Sequence, residues 1–384
     1  KTSSVPTVPG RKSRVEVSLS PGTSVKPDWP FKFDKPSEPI SSDSRSQLAA
    51  MITHGHDGRF AEVIVNRVWQ RYLGWGLVEP VDDWENAEVS HPQLLKWLAR
   101  EFIFSGYDLK YVARLILNSH TYQRQVDPAF TVAGEPEDRL FAGPARRRLS
   151  AEQVVDSLFA AAGKEMDVEP LTLDINGRGT VATFLNLGIP RRAWQFTSLS
   201  NERDRPSLAI PKAQSVVDIL QAFGWRDARQ DALTRRDHEP NALQPPALAN
   251  GIVGRRITQL SDESAFTELA LRSVGSMELV QLVYRRVLGR APTQEELITM
   301  NQHLSAGYTS RVIRNAPRVI RQEKVLDVSW NNHLSEEANR IKMELEKRVL
   351  LGDPPTNRLR PEWRERLEDV VYALVNSPEF IYVP

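Results

Sequence analysis

"AEVIVNRVWQRYLGWGLVEPVDDWENAEVSHPQLLKWL", residues 61–98, decides the fold class of this chain. Its first half repeats apolar residues at helical spacing until Gly74 and Gly76 break the pattern. An acid-rich connector follows, and the helical period resumes at Leu94, Leu95, Trp97 and Leu98. Ser90 with Gln93 reads as a capping box for this second helix, the serine accepting the N3 amide while the N3 side chain reaches back. Phe102 continues the same face and Gly106 ends it. Asp108 then caps "LKYVARLILNSHTY", and two helices joined so briefly imply an antiparallel hairpin.

The same signals recur along the chain. A helical pattern starts from Ser42, Ser150 opens "AEQVVDSLFAAAG", and helices return near Lys212 and after Pro246. Thr293 with Glu296 forms another capping box, "LSEEANRIKMELEKRVLLG" reads as a solvated helix stopped by Pro354 and Pro355, and a last helix runs from about Pro361 to Asn376. "ARLILNSHTYQ" and "VYALVNSPEFIY" share an apolar helix, an Asn-Ser ending and an aromatic anchor, with the asparagine read as a left-handed C-cap. The expected fold is mainly α: a multi-helix globular domain with an extended N-terminal arm, a long irregular insertion and minor β. Residues 1–41 form a Pro/Ser-rich arm or linker with "RVEVSLS" as an edge strand. Residues 42–149 form an N-terminal helical subdomain, 150–260 a helical core carrying the long polar loop 164–211, and 261–384 a C-terminal helical subdomain.

Composition narrows function. With 384 residues and 40% apolar content, the chain buries a sizeable core. Lys plus Arg number 50 against 49 for Asp plus Glu, so a net charge of +1 provides no general field for nucleic acid. Zero cysteines exclude disulfides, thiolate zinc sites, thiol nucleophiles, iron–sulfur clusters and c-type haem attachment within this sequence. No stretch approaches the roughly twenty apolar residues of a membrane span. The first residues lack the apolar core of a signal peptide, so a targeting segment is expected to be missing from this chain or removed. The sequence contains no G-x-S-x-G elbow, Walker loop, dinucleotide fingerprint or H-E-x-x-H pair.

Four constellations remain. The connector gathers Glu79, Asp82, Asp83, Glu85, Glu88 and His91, a set suited to a calcium-like oxygen site or an acid/base pair. Its spacing matches no EF-hand loop, and acids before a helix are ordinary N-terminal electrostatics, so it reads as a structural joint. "THGHDGRF" offers His54, His56 and Asp57 to a transition metal, but a turn capped by Asp57 explains the same letters. No metal is expected, and His54, His56, Asp82, Asp83 and His91 are the weak candidates. "PRRAWQFTSLSNERDRPSLAIP", residues 190–211, places Arg191, Arg192, Asn201, Glu202, Arg203, Asp204 and Arg205 among Trp194 and Phe196. Such a loop either binds sugar hydroxyls, carboxylates or sulfates through arginine and aromatic stacking, or bonds its polar groups to one another. Between residues 226 and 237, arginines including Arg226 and Arg236 alternate with aspartates. Internal ion pairing is the default there and an anion site the alternative.

Several ordered motifs carry a family likeness: "NRVWQRYLGWGLVEPVDDWENAEVSHPQLLKWLAREFIFSGYDLKYVARLILNSHTYQ", "TSLSNERDRPSLAIP", "EPNALQPPALANG", "YRRVLGRAPTQEEL" and "LVNSPEFIYV". Over about residues 38–384 the chain resembles the large C-terminal domain of unknown function of planctomycete-type secreted proteins. The resemblance implies a helical fold, an exported protein (periplasmic, cell-surface or secreted) and a mosaic with an N-terminal c-type cytochrome domain. It carries over no reaction and no catalytic residues. With no haem motif here, no cofactor is expected in this chain, and haem c belongs to an N-terminal portion or a separate partner of the same assembly. The first functional expectation is a non-enzymatic interaction or scaffold domain of such an assembly. The second is an extracellular polysaccharide-binding or polysaccharide-degrading protein, using the 190–211 loop with Arg226 and Arg236.

Overall fold

The computed structural model describes residues 20, 22–24, 43–53, 58–84, 87–126, 139–169, 171–173, 185–196, 210–225, 240–319, 328 and 334–383. These are mostly helical, as expected. In chain order the helices are α1 (Ser44–Thr53), α2 (Arg59–Leu73), α3 (Pro92–Phe104), α4 (Leu109–Leu117), α5 (His120–Gln123), α6 (Ala151–Ala162) and α7 (Pro211–Ala222). They continue with α8 (Gln244–Ala249), α9 (Ile252–Thr258), α10 (Ala265–Ala270), α11 (Ser276–Val287), α12 (Gln294–Ser305), α13 (Glu336–Leu351) and α14 (Pro361–Val375). Two short antiparallel pairs supply the minor β: β1 (Arg147–Arg148) with β4 (Tyr382–Val383), and β2 (Leu171–Leu173) with β3 (Leu185–Gly188). The 164–211 insertion is therefore partly ordered by a strand pair that its sequence does not announce. All of "RVEVSLS" but Ser20, and almost all of the 1–41 arm, lie outside the described residues.

Apolar side chains form two cores. In the first, Ala61, Val65, Trp69 and Leu73 recur every fourth residue of α2 and meet Leu95, Leu98 and Phe102 of α3 and Val112 and Ile116 of α4. Helix α3 closes with a Schellman pair: the Gly106 amide donates to Ile103 O and the Tyr107 amide to Phe102 O. Asp108 then caps α4 by accepting from the Lys110 and Tyr111 amides at 2.8 and 3.2 Å. The second core runs from Ala151 to Phe380 and surrounds the fully buried Tyr284 and Phe266. Helix α6 enters it through the Ser150–Gln153 capping box and leaves at Gly163, whose φ of 64° and close approach to Ala265 leave no room for a Cβ. Trp363 on α14 ties that helix to α12 by donating to Leu304 O at 3.0 Å.

The segment "GPARRRLS", residues 143–150, stitches the cores together by strand alternation. The Arg147 guanidinium donates to Arg71 O at the end of α2, while Arg148 reaches Gln244 and the face of Phe223 in the second core. The Ala145 amide donates to Leu73 O and the Leu149 amide to Ile381 O. Gly74 caps α2 in the left-handed region, and a Cβ there would collide with Ala145.

The shared "NS" endings have a different cause from the one expected. Asn118 and Asn376 both sit at negative φ, so neither is a left-handed cap. The serine does the work: the Ser119 hydroxyl donates back to Ile116 O at 2.7 Å and that of Ser377 to Leu374 O at 2.8 Å.

Candidate functional site

The 190–196 turn is anchored from beneath. Ala193 and Phe196 are buried in the second core, and the Ala193 amide donates to Asp156 Oδ1 on α6 at 2.9 Å. Gln195 Oε1 accepts the amides of Arg191 and Arg192 at 2.7 and 3.1 Å, so side chain and backbone lock each other. What this fixed backbone presents outward is Trp194, 71% exposed, between the exposed Ile189, Arg191 and Arg192. The structure thus brings together Arg191, Arg192 and Trp194. Asn201, Glu202, Arg203, Asp204, Arg226 and Arg236 lie outside the described residues, as do His54 and His56.

The connector is built as a clasp. Asn66, fully buried on α2, accepts the Val78 amide at 3.1 Å and donates to Val78 O at 2.9 Å. Glu79 accepts from the Gly76 amide at 2.7 Å and from Gln70 at 3.2 Å. Asp82 pairs with Arg67 at 2.9 Å, and the Asp83 amide closes a turn onto Pro80 O. The expected Ser90 cap is corrected: α3 begins at Pro92 with His91 at the N-cap position and no side-chain cap. Proline supplies the first helical φ, and its missing amide is one fewer unsatisfied donor at the helix start. The Ser90 hydroxyl instead donates to Leu77 O at 3.0 Å, and its Oγ lies 3.2 Å from His91 Nδ1. The His91 ring meets Phe141 edge-on, and among the described residues no three His, Asp or Glu gather as metal ligands.

A third grouping was not singled out by sequence: a buried ion cluster beside a narrow cleft. The cleft is lined by Phe159, Met166, Val216, Val253 and Val349, with Lys212, Arg256 and Asp353 as polar lining. Lys164 Nζ is wholly buried and donates to Arg256 O (2.6 Å), Gln259 O (2.9 Å) and Asp353 Oδ2 (2.9 Å). Burial pushes the Lys164 ammonium below the usual lysine value, and the Asp353 carboxylate opposes this. All three N–H bonds have acceptors, so loss of a proton would aim a lone pair at an oxygen. Two of those acceptors are carbonyls at the end of α9, which makes Lys164 a C-terminal cap supplied from a distance. Arg256 donates to Met166 O and Glu165 O, and Lys212 pairs with Asp167 at 2.8 Å. Glu169 accepts the Lys212 and Ala213 amides at the start of α7; burial raises its carboxyl above the usual range, against the pull of those amides. The charges around the cleft hold backbone ends, and the surface they leave open is largely apolar.

Residues 44–304 match the profile of PSD1, a family described as a protein of unknown function (DUF1553). The chain belongs to that family. No curated protein and no solved structure matches it. The DUF1553 match contains the Trp194 turn, the connector, Lys164 and Arg256, whereas Asp353 and α14 lie beyond it. The second core nevertheless needs those later residues, since Trp363, Leu367 and Val371 are buried in it. Lys164 had no local signal, because its acceptors come from residues 256, 259 and 353, and Pro354 and Pro355 read only as a helix stop.

Proposed function

We propose that this DUF1553 chain is a non-catalytic helical interaction domain of an exported, cytochrome-c-associated assembly, docking a protein partner through the Trp194 turn. The supporting observation is the exposure of Trp194 on a backbone fixed by Gln195 and Asp156. An exposed aromatic held rigid loses little freedom on binding, and tryptophan and arginine are the side chains most enriched at binding hot spots. Arg191 and Arg192 select a partner face bearing carboxylates. The exported location and the haem-bearing partner are proposed from the family resemblance alone. The test is a triple variant, Arg191→Ala, Arg192→Ala and Trp194→Ala, titrated against a c-type cytochrome domain of the same assembly. The expected result is binding weakened about tenfold or more with melting unchanged. Undiminished binding by the folded variant would overturn the reading.

The same exposed indole supports a second reading, a polysaccharide contact in which a sugar ring stacks on Trp194. Retention on an insoluble polysaccharide that Trp194→Ala abolishes, together with no affinity for the cytochrome domain, would put this reading first.

A further inference from the structure

Apart from the Trp194 turn, the joint between the two cores holds a second concentration of arginine. Residues 139–151 contain Arg139, Arg146, Arg147 and Arg148 and no acid; the flanking carboxylates are Asp138 and Glu152. A surface concavity at this joint is bounded by Tyr122, Arg124, Gln125, Pro144 and Arg147. Each of its two guanidinium groups is tethered through one nitrogen to a backbone carbonyl. Arg124 Nη1 donates to Ala142 O at 2.7 Å, and Arg147 Nη1 donates to Arg71 O. An arginine has five N–H donors, so these tethers orient the forks and leave further donors for a ligand.

The charge around the concavity is one-sided. Among the described residues Arg71, Arg124 and Arg147 make no ion pair, whereas Arg67, Arg256, Arg290 and Arg358 each have a carboxylate. Burial depresses Arg147 below the usual arginine value and the like charge of Arg71 adds to this, with Tyr122 and Tyr72 acting against it. A partly buried cation beside another cation is a cost that a bound anion removes. The frame is stiff: Gly74 packs against Ala145 and Arg147, the Ala145 amide is bonded to Leu73 O, and β1 is paired with β4.

We propose that this concavity is an oxyanion site, taking a phosphate or sulfate group between the Arg124 and Arg147 guanidinium groups. Forked N–H donors match the oxygens of such groups, and two forks from separate segments suit a tetrahedral anion. The site is independent of the Trp194 turn and of the proposed protein docking.

The experiment is calorimetric titration of the intact chain with inorganic phosphate, inorganic sulfate and a sulfated disaccharide, at ionic strength held constant with chloride. Saturable one-site binding of at least one of these is expected. Arg124→Gln should weaken it about tenfold or more while leaving the melting temperature in chloride unchanged, because Arg124 is exposed. Arg147→Gln also releases the end of α2, so Arg124→Gln is the deciding variant. Arg124-dependent binding of the free anions alone marks a free-ion site; the same dependence for the disaccharide marks a site for sulfate esters. Absence of saturable binding for all three, or equal affinity in Arg124→Gln, overturns the proposal.

Discussion

In the first core the polar clasps close short stretches of chain: Asn66 to Val78, Ser90 to Leu77, Tyr111 to Glu101, with separations of 12, 13 and 10 residues. In the second they reach much further: Lys164 to Asp353 over 189 residues, Glu368 to the Leu260 amide over 108, Arg358 to Asp262 over 96. The chemistry changes with the distance. Asn66 and Ser90 close their stretches with neutral groups, and Tyr111–Glu101 and Arg67–Asp82 bring in carboxylates at 10 and 15 residues, while the three long closures all use ionised groups, two of them also or only against backbone atoms. Closing a longer loop costs more entropy, and charge-assisted hydrogen bonds are roughly twice as strong as neutral ones. The three longest of these closures are thus held by the stronger kind of bond.

The sharpest way to break this comparison is Asp353→Ala, which strands a buried ammonium. It should cost about 3–5 kcal/mol in urea denaturation. A loss below about 1 kcal/mol, the range of exposed pairs, would move the long-range hold of the second core elsewhere. Asn66→Ala comes next: it deprives both backbone groups of Val78 of partners in a fully buried place, at about 2 kcal/mol. Hydrogen exchange should quicken in residues 61–116; equal acceleration in 151–380 would make the two cores one cooperative unit and erase the contrast.

Glu296 adds a pH dependence to the second core. Hydrogen bonding to Arg290 holds its carboxyl at about 2, below the ordinary 4.5. Its stabilisation is therefore complete above about pH 4.5 and lost as pH falls toward 2. Both side chains are nearly a third exposed, so the effect is discounted to about 1 kcal/mol. Glu296→Gln keeps the capping box and should flatten that acid limb in a series of melts; an unchanged limb would assign it to other carboxylates. The smallest effect separates a clasp from a cap. Asp108→Ala should cost about 1 kcal/mol as a lost N-cap. Ser90→Ala should cost about 0.5 kcal/mol, because Leu77 O keeps the Ser90 amide. A reversed order in paired denaturation curves would restore the capping role to Ser90.

What could be read from the letters was what neighbours in sequence decide. The Ser150 helix start, the Thr293–Glu296 box, the Asp108 cap and the glycine stop at Gly106 stand where their spacing put them. Ser90 was misread because Pro92 already starts the helix, which freed the hydroxyl for a carbonyl 13 residues back. Arg191, Arg192 and Trp194 were legible as a conspicuous cluster, but their exposure depends on Asp156, 37 residues away on another helix. The run of arginines at 146–148 was visible and carried no periodicity; its meaning depends on which carbonyls and aromatic rings the strand places on either side.

Lys164 also has a consequence for the reactivity of the protein. Lys164 Nζ is wholly buried with every N–H bound, out of reach of an acylating reagent, while lysines such as Lys96 and Lys110 stand in solvent. Modification of Lys164 must wait until α6, α9 and the Asp353 turn part company. Its labelling rate, followed by peptide mass, is therefore a built-in gauge of how often this protein opens, read out without unfolding it by heat or denaturant.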